Sequence, residues 1–595
     1  MKTRIRILCT WLLLLPSILL QAIPWQSSQQ VEVSGQVKDS KGNPLPGVTV
    51  TLTNGERKTG TQTDPSGRFH ISAPTNATLQ FSFVGYKPVS IPLNGRKQIS
   101  VTLTETATEL TDVVVVGYGT QKKVNLTGAV VTATAEELNK RVVTNPASLL
   151  QGRLPGLNVV EGSGEPGNEA IALRVRGVGT FSGAGNDPLV IIDGIPGNLG
   201  AINPNDIGSV SVLKDAASAA IYGARAANGV ILVTTKKGAK EGLHLEYSYN
   251  LGITSATRLP SLITNSVEYM ELYNQALQHS GQAKAYPDDF INLYRNATDK
   301  VKYPDVNWLD IIFRTVYTHN HYLNVSGGRN GTTYNVGLGY IDQPGTMKGF
   351  EFKKYTLQFN LNSEVNKRLT FGANVNFNYG DRRFPRQGSQ DQFLATLSQA
   401  PMYGPIVPDG SGHYTYRGDP YVYHNKNPVA IADNVQATDR SYYVQSNLFV
   451  NVKLLDGLSW ETRGGFNFSF QQIKDFRPVV PQYDWFTGAF ATYLDVGEKG
   501  LQVTNGNTIY PVVYTQLTYD KQLGSHHIKL LGGAQQEYYK EDSLAGYRRD
   551  FPGTTLRELE AGGTDGQRTG GTAYEWALRS FYGRVNYDYK DKYLF

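Results

Sequence analysis

From about residue 243 onward the chain is built from segments of about ten residues in which apolar and polar side chains alternate. "LHLEYSYNLG" puts Leu243, Leu245, Tyr247, Tyr249 and Leu251 on one face and His244, Glu246, Ser248 and Asn250 on the other. "YNVGLGY" sets Tyr334, Val336, Leu338 and Tyr340 against Asn335, Gly337 and Gly339. "YTLQFNLN" and "LTFGANVNFNYG" repeat the pattern, the second with Phe371, Ala373, Val375, Phe377 and Tyr379 opposite Thr370 and three asparagines. "LSWETRGGFNFSF" continues it through Trp460, Phe466, Phe468 and Phe470. One face suits hydrocarbon and the other suits water, which is the signature of transmembrane barrel strands.

About ten such segments begin near 243, 319, 332, 353, 367, 442, 457, 511, 525 and 577. Their connections alternate between long stretches and tight turns at Asn330-Gly331, Asn366-Lys367, Asp456-Gly457 and Gly524-Ser525. Short turns on one side and long loops on the other are expected of an outer-membrane barrel, whereas a soluble β-domain has no reason to keep that order. A narrow barrel of ten strands would leave no room for a folded domain inside; plugged barrels have about 22 strands. The final "YDYKDKYLF" reads as a turn and the first residues of a further strand ending at Phe595. The expectation is a truncated N-terminal portion, about a dozen strands short of closure.

The N-terminus has a basic start (Lys2, Arg4, Arg6), an apolar run from Ile7 to Leu20 interrupted by Thr10 and Pro16, and Ala22 as a cleavage point. Residues 1–22 therefore read as a secretory signal, too short and too broken for a membrane anchor. Its removal takes Cys9, the only cysteine, and excludes disulfides and thiolate metal sites from the mature chain. The net charge of +6 is small for this length and gives no argument for nucleic-acid binding.

Residues 31–105 are short strands punctuated by turn chemistry at Gly42-Asn43-Pro44, Asn54-Gly55, Asp64-Pro65-Ser66-Gly67 and Asn94-Gly95. Val48, Val50 and Leu52 share a face, as do Leu79, Phe81 and Phe83, which fits a small β-sandwich. Residues 120–238 mix helix and strand. "TAEELNK" and "NPASLLQGR" are short helix candidates capped by Thr134 and Asn145, with a third at Ala216–Ala220. "GLNVVE", "AIALRVRG", "PLVIIDG", "IGSVSVLK" and "GVILVTT" read as strands. Gly162, Gly164 and Gly167 formally match G-x-G-x-x-G, but strand rather than helix follows, so a glycine-rich loop is expected instead of a nucleotide site. Between these zones lies "TDVVVVGYGTQKK", residues 111–123, an oddly apolar linker.

The order of these parts resembles the SusC/RagA family of TonB-linked outer-membrane proteins, along the whole chain. The stretches that carry the resemblance are "TDVVVVGYGTQKK", "LLQGRLPGLNVV", "LRVRGVGTF", "DPLVIIDGIPG" and, above all, "INPNDIGSVSVLKDAASAAIYGARAANGVILVTTKKG" at 202–238. The sandwich resembles the carboxypeptidase-regulatory-like domain, which implies a binding or regulatory module without peptidase chemistry. The implied fold is mainly β: a signal peptide (1–22), the sandwich (31–105), a TonB-box region (111–119), an α+β plug domain (120–238) and part of a large antiparallel transmembrane barrel (242–595). The implied TonB-binding residues are Asp112, Val113, Val114, Val115, Val116, Gly117, Tyr118 and Gly119. The plug signature falls on Arg176, Gly177, Asp193, Gly194, Lys214, Asp215, Tyr222, Gly223, Arg225, Asn228 and Gly229. The implied partners are TonB energised by ExbB–ExbD, a SusD-like surface lipoprotein, a glycan or peptide substrate and outer-membrane lipid, with no cofactor. Loops 161–167 and 180–187 would face substrate.

An extended segment that adds as a strand to a partner sheet is a natural handle in a membrane without ATP, and β-branched valines favour that form. Asp193-Gly194 and Asp215 suit a turn and packing better than acid catalysis, since no paired carboxylate accompanies them. His319 and His321 share a strand face but lack a third metal ligand nearby, while His526 and His527 point to opposite faces. Arg174 and Arg176 share a face and are expected to pair with acidic wall residues. Tyr414, Tyr416, Tyr421, Tyr423 and Trp485 in long loops could stack on sugars or pack the loops. The leading expectation is import of an oligosaccharide or oligopeptide. A siderophore or cobalamin receptor is the alternative, and a non-transporting adhesin is the reading from another class. No constellation points to an enzyme.

Overall fold

The computed structural model describes residues 30–594 apart from 41, 55–56, 84–85, 87, 105–112, 116–119, 123–128, 139, 181–184, 417–425, 435, 495–496 and 591–592. The expected signal (1–22), Asp112, Val116, Gly117, Tyr118, Gly119, Tyr421, Tyr423 and Phe595 lie outside the described residues. Two compact units divide between Asp112 and Val113.

The first unit contains β1 (Gln30–Asp39), β2 (Thr49–Asn54), β3 (Arg57–Gln62), β4 (Arg68–Pro74), β5 (Thr78–Ser82), β6 (Val89–Pro92) and β7 (Gln98–Leu103). They form two sheets, ordered β4-β1-β7 and β3-β2-β5-β6. The alternation legible in sequence buries Val48, Val50, Leu79 and Phe81 completely in the sandwich core. Phe69 meets Phe81 edge-on, with ring centroids 5.2 Å apart.

The second unit opens with β8 (Val113–Val115) and β9 (Thr120–Lys122), paired antiparallel to each other and to no other strand among the described residues. There follow β10 (Val130–Thr134), α1 (Ala135–Leu138), β11 (Leu157–Glu161), β12 (Ile171–Val175), β13 (Leu189–Ile192), β14 (Ile195–Pro196), β15 (Ile207–Leu213), α2 (Ala216–Ala219) and β16 (Val230–Thr235). A five-stranded mixed sheet runs β10-β15-β16-β13-β14, and β11 pairs with β12 alongside it. The alternating valines of β15 and the continuous apolar run that opens β16 bury Val210, Val212, Val230 and Ile231 completely. Asn145 caps a 3-10 turn at Pro146–Leu150, accepting from the Ala147 amide at 3.0 Å. The glycine-rich stretch 162–167 is a loop leading into β12, with no helix to hold a phosphate.

The remainder is β17 (Gly242–Thr254), α3 (Ser266–His279), α4 (Asp288–Arg295), α5 (Trp308–Ile312), β18 (Val316–Arg329), β19 (Thr332–Pro344), β20 (Glu351–Glu364), β21 (Leu369–Pro385), α6 (Gly388–Leu397), β22 (Tyr414–Tyr416), α7 (Pro428–Asn434), β23 (Gln436–Leu455), β24 (Leu458–Arg477), β25 (Pro481–Asp484), β26 (Phe490–Tyr493), β27 (Gly500–Leu523), β28 (His526–Arg549), β29 (Gly563–Tyr589) and β30 (Tyr593–Leu594). Eleven of these strands form one antiparallel barrel wall in chain order, with β22, β25 and β26 set apart as a small sheet in the loops. Asn330 and Gly331 make the expected tight turn with φ of 51° and 80°.

The wall's two faces divide as the alternation requires. Leu243, Leu245 and Ile253 are exposed outward, while Asn335, Gln358, Asn360, Asn447 and Gln445 are buried inward against the mixed domain. Several of the inward amides bond one another along the wall: Asn335 Nδ2 donates to Gln358 at 2.7 Å, and Asn374 Nδ2 to Asn447 at 3.1 Å. The long loops pack on themselves around Met270, Tyr294, Trp308, Met402 and Trp485. Trp485 donates to the Lys302 carbonyl and Trp308 to that of Ala400, each at 2.9 Å. Of the aromatics offered above for sugar stacking, Trp485 and Tyr414 are therefore loop-packing residues.

Candidate functional site

The valine segment is held lightly where it can be described. Val113, Val114 and Val115 pair with Lys122, Gln121 and Thr120 in a ribbon of three residue pairs. The linker rests against its own continuation, not against a larger sheet. A two-stranded ribbon this short is marginal alone.

The principal contact between the mixed domain and the wall is the segment 193–206. Asp193 and Gly194 adopt φ of 48° and 93° and turn β13 into β14. The Asp193 carboxylate is taken up inside the domain, accepting from the Thr235 amide at 3.0 Å and the Thr235 hydroxyl at 2.7 Å. Its carbonyl instead faces the wall and accepts from Arg463 at 2.5 Å. The same arrangement recurs along the segment. Pro196 O accepts from Asn467 at 2.7 Å and Gln445 at 3.2 Å, Gly200 O from Lys354 at 2.6 Å, and Ala201 O from Asn378 at 3.0 Å. Side chains join at two points: Asn203 Nδ2 donates to Thr356 Oγ1 at 3.0 Å, and the Tyr322 hydroxyl donates to Asp206 Oδ1 at 2.6 Å.

The wall makes room for this segment with glycine. A Cβ on Gly337 would lie 2.1 Å from Asp206 Oδ1, and one on Gly339 would lie 2.1 Å from Asn203 Nδ2. A Cβ on Gly465 would lie 2.8 Å from Ile195 Cδ1. The surfaces touch largely through polar atoms that water can also serve, so each neutral bond is worth only about 0.5–1.5 kcal/mol net and those from Arg463 and Lys354 about 1.5–3 kcal/mol. The contact is also incompletely filled. A cavity of about 210 Å³ remains beside the Asp193–Gly194 turn, lined among others by Leu232, Lys237, Phe449, Glu461 and Arg463.

Two ion pairs cross the same boundary. Arg225 is bidentate on Glu537, at 2.7 and 2.6 Å, and donates to the Tyr510 hydroxyl at 2.9 Å; Glu537 is 1% exposed. Arg382 of β21 reaches Glu165 at 3.3 Å. The expectation for Arg174 needs correcting: it pairs with Asp187 within the mixed domain and with no wall residue in the described contacts. The intervening loop 161–167 presses on the wall through Glu165 and through Gly167, where a Cβ would lie 2.6 Å from the Phe352 ring.

The remaining signature residues shape the domain itself. Arg176 and Gly177 turn with φ of 58° and 97°. Lys214 Nζ donates to the Pro155 carbonyl at 3.0 Å. Asp215 caps α2 through the Ser218 amide at 2.8 Å and also accepts from the Ala129 amide. Partial burial opposes its ionisation, but those amides hold its carboxyl below the usual range. Tyr222 is buried, Gly223 breaks the helical backbone with φ of 66°, and Asn228 donates to the Gly185 carbonyl at 3.1 Å. Gly229 has φ of 85° and lies against Val175, where a Cβ would approach to 3.0 Å. Neither aspartate is paired with a second carboxylate, so the acid-catalysis reading finds no support. His319 and His321 hydrogen bond to Tyr249 and Tyr247 at 2.9 and 2.8 Å; no cluster among the described residues is built to hold a metal.

Asp206 gives the contact a pH dependence. Burial against the wall pushes its carboxyl up to about 7, despite the Tyr322 hydroxyl and the nearby Lys236 and Lys354. Exposed, it would titrate near its ordinary value of about 3.9. Docking is thus supported fully below about 4, and that support drains away as pH rises through about 7. Hydrogen exchange at the amides of residues 202–206, corrected for intrinsic rates, should speed up between pH 5.5 and 7.5, and Asp206→Asn should flatten the profile. An unchanged profile in the variant would contradict this assignment.

Residues 122–230 match the TonB-dependent Receptor Plug Domain family, and residues 33–116 match the CarboxypepD_reg-like domain family. The chain is 31% identical over 584 residues to the TonB-dependent receptor P3 of Formosa agariphila, covering 96% of this chain and 54% of that protein. It is 30% identical over 611 residues to the TonB-dependent receptor SusC of Bacteroides thetaiotaomicron, covering 96% and 56%. It thus spans about half the length of the curated relatives it matches. Among solved structures, the RagAB peptide importer in its open-open state superimposes with a TM-score of 0.67 at 24% identity, over 81% of this chain and 55% of that one.

Proposed function

We propose that the chain is a SusC/RagA-type TonB-dependent receptor of the outer membrane and that it imports an oligomeric nutrient, an oligosaccharide or oligopeptide, past a plug that TonB displaces. The observation that carries this reading is the chemistry of the plug–wall contact. The wall grips backbone carbonyls of 193–206 with amide, lysine and arginine side chains, beside a local apolar contact where Ile195 lies against Gly465. A contact of that kind holds the plug in place at rest and lets it rehydrate when pulled.

The residues proposed to take the pull are 112–119, of which Val113 to Val115 form the ribbon described above. TonB, energised by ExbB–ExbD, would add a strand to this segment. A SusD-like lipoprotein is the proposed partner over the long loops. The wall's two edges, β17 and β30, are unpaired on one side among the described residues, and an edge in hydrocarbon would leave its amides and carbonyls unsatisfied. We take the wall to be completed by further strands. No catalytic role is assigned to any residue.

Uptake assays separate this reading from its runner-up. Cells carrying the full-length protein as their sole importer of the class should gain growth or labelled uptake on a defined oligosaccharide or oligopeptide, and none on ferric siderophores or cobalamin. Uptake confined to the latter would replace the proposal with the receptor reading.

A further inference from the structure

Where the plug is docked, single aromatic rings of the inward face serve the contact: the Tyr322 hydroxyl reaches Asp206, Tyr443 accepts from the Asn198 amide, and Phe449 lines the cavity beside Asp193. On β27, β28 and β29, beyond Glu537 toward the long loops, four rings face inward together: Tyr510, Tyr539, Tyr574 and Trp576. Tyr539 and Trp576 are directly paired across strands and stacked, with centroids 5.5 Å apart and planes within 10°. Tyr510 meets both at 5.7 Å, and Tyr574 extends the patch at 6.4 Å from Tyr539.

Two observations indicate what such a patch takes. The first is its charge. The cation beside it, Arg225, is already held by Glu537, and Glu541, exposed at the patch, accepts from the Tyr539 hydroxyl at 2.6 Å. An anionic ligand would meet a carboxylate, whereas a neutral polyhydroxyl ring would lay its C–H face on the aromatic rings and donate hydroxyls to Glu541. The second is its attachment. The Tyr510 hydroxyl bonds Arg225 of the plug and Glu537 of the wall, while the same ring touches Trp576 and Tyr539. Whatever rests on Trp576 is one side chain away from the ion pair that clamps the plug.

We propose that Trp576, Tyr539, Tyr510 and Tyr574 form a subsite for a neutral saccharide ring inside the barrel, and that Tyr510 relays its occupancy to the Arg225–Glu537 pair. This rests on the import reading and narrows its substrate. Tyr510 is a positioning residue here, and Trp576 with Tyr539 makes the platform. Occupancy that shifts Tyr510 weakens its hold on Arg225, so a loaded barrel has a looser plug than an empty one.

The test is calorimetric titration of the purified full-length protein with neutral oligosaccharides of four to eight units (α- and β-glucans, xylan and mannan fragments). A saccharide that binds the native protein should lose at least about 10-fold in affinity with Trp576→Ala and keep its affinity within about threefold with Trp576→Phe, which preserves the ring. Saturation should also accelerate hydrogen exchange around Arg225, and Tyr510→Phe should remove that acceleration without a comparable loss of affinity. Unchanged affinity in a folded Trp576→Ala protein overturns the subsite, and unchanged exchange at Arg225 overturns the relay. Binding of oligopeptides alone, with peptide uptake intact, overturns the saccharide assignment while leaving the import reading in place.

Discussion

Deleting residues 112–118 should drop uptake to background, a loss of at least about 100-fold, while substrate binding stays within about twofold. The asymmetry follows from where the segment is tied. Its described part, Val113 to Val115, makes three residue pairs with Thr120 to Lys122 and no others in the strand pairing. The plug–wall bonds among the described residues all lie C-terminal to it, from Glu165 through Thr235. Removing the segment leaves that contact intact and takes away only the strand a partner can pull. A single Val114→Pro change should act in the same direction, because proline cannot donate to an added strand and clashes within a β-ladder. Uptake of labelled substrate by whole cells and titration of the purified protein give the two readouts. Retained uptake in the deletion would sink the assignment of 112–119 as the coupling handle.

Much of the wall was legible because hydrocarbon imposes a strict period of two. Phe359, Val375 and Leu357 sit outward where the alternation puts them, and their asparagine neighbours sit inward. The reading failed where that constraint lapses. β27 begins at Gly500 and β29 at Gly563, earlier than the segments expected near 511 and 577, because strands of 24 and 27 residues run beyond the bilayer, where no lipid face needs an apolar residue. Of the helices in the first long loop, α3 has a weak amphipathic pattern, whereas α4 buries Ile291 and Tyr294 on one face but is only eight residues long, too short for that pattern to stand out from a loop.

The plug–wall contact was legible in its plug half alone. The signature residues stand out as a run, and several prove to be turn formers or caps, as Asp193-Gly194 and Asp215 do. Their wall partners leave no mark in the sequence. Five of the contacts described above end on backbone carbonyls, which every residue carries, and the partners lie more than 150 positions away. Arg225 and Glu537 are separated by 312 positions, and no local pattern selects one glutamate of the wall over another. Gly337 and Gly339 read as small residues on the polar face, but their purpose, clearance for Asp206 and Asn203, appears only when the plug is in place. The acidic wall partners expected for Arg174 and Arg176 were wrong in detail for Arg174 because a nearer acid, Asp187, lies in the plug itself.

The central claim, that transport requires the plug to leave the wall, has a direct test in the full-length protein. Asn203 and Thr356 meet side chain to side chain at 3.0 Å in a buried position, one on the plug and one on β20. The only cysteine of this sequence, Cys9, lies in the expected signal, so an Asn203→Cys, Thr356→Cys pair adds a cross-link with no native thiol within this sequence's mature part to compete. With the cross-link confirmed by mass spectrometry, uptake should fall to background under oxidising conditions and return when the bond is reduced, and substrate binding should persist in both states. Transport at the native rate through a barrel whose plug is covalently held at Thr356 would contradict the account.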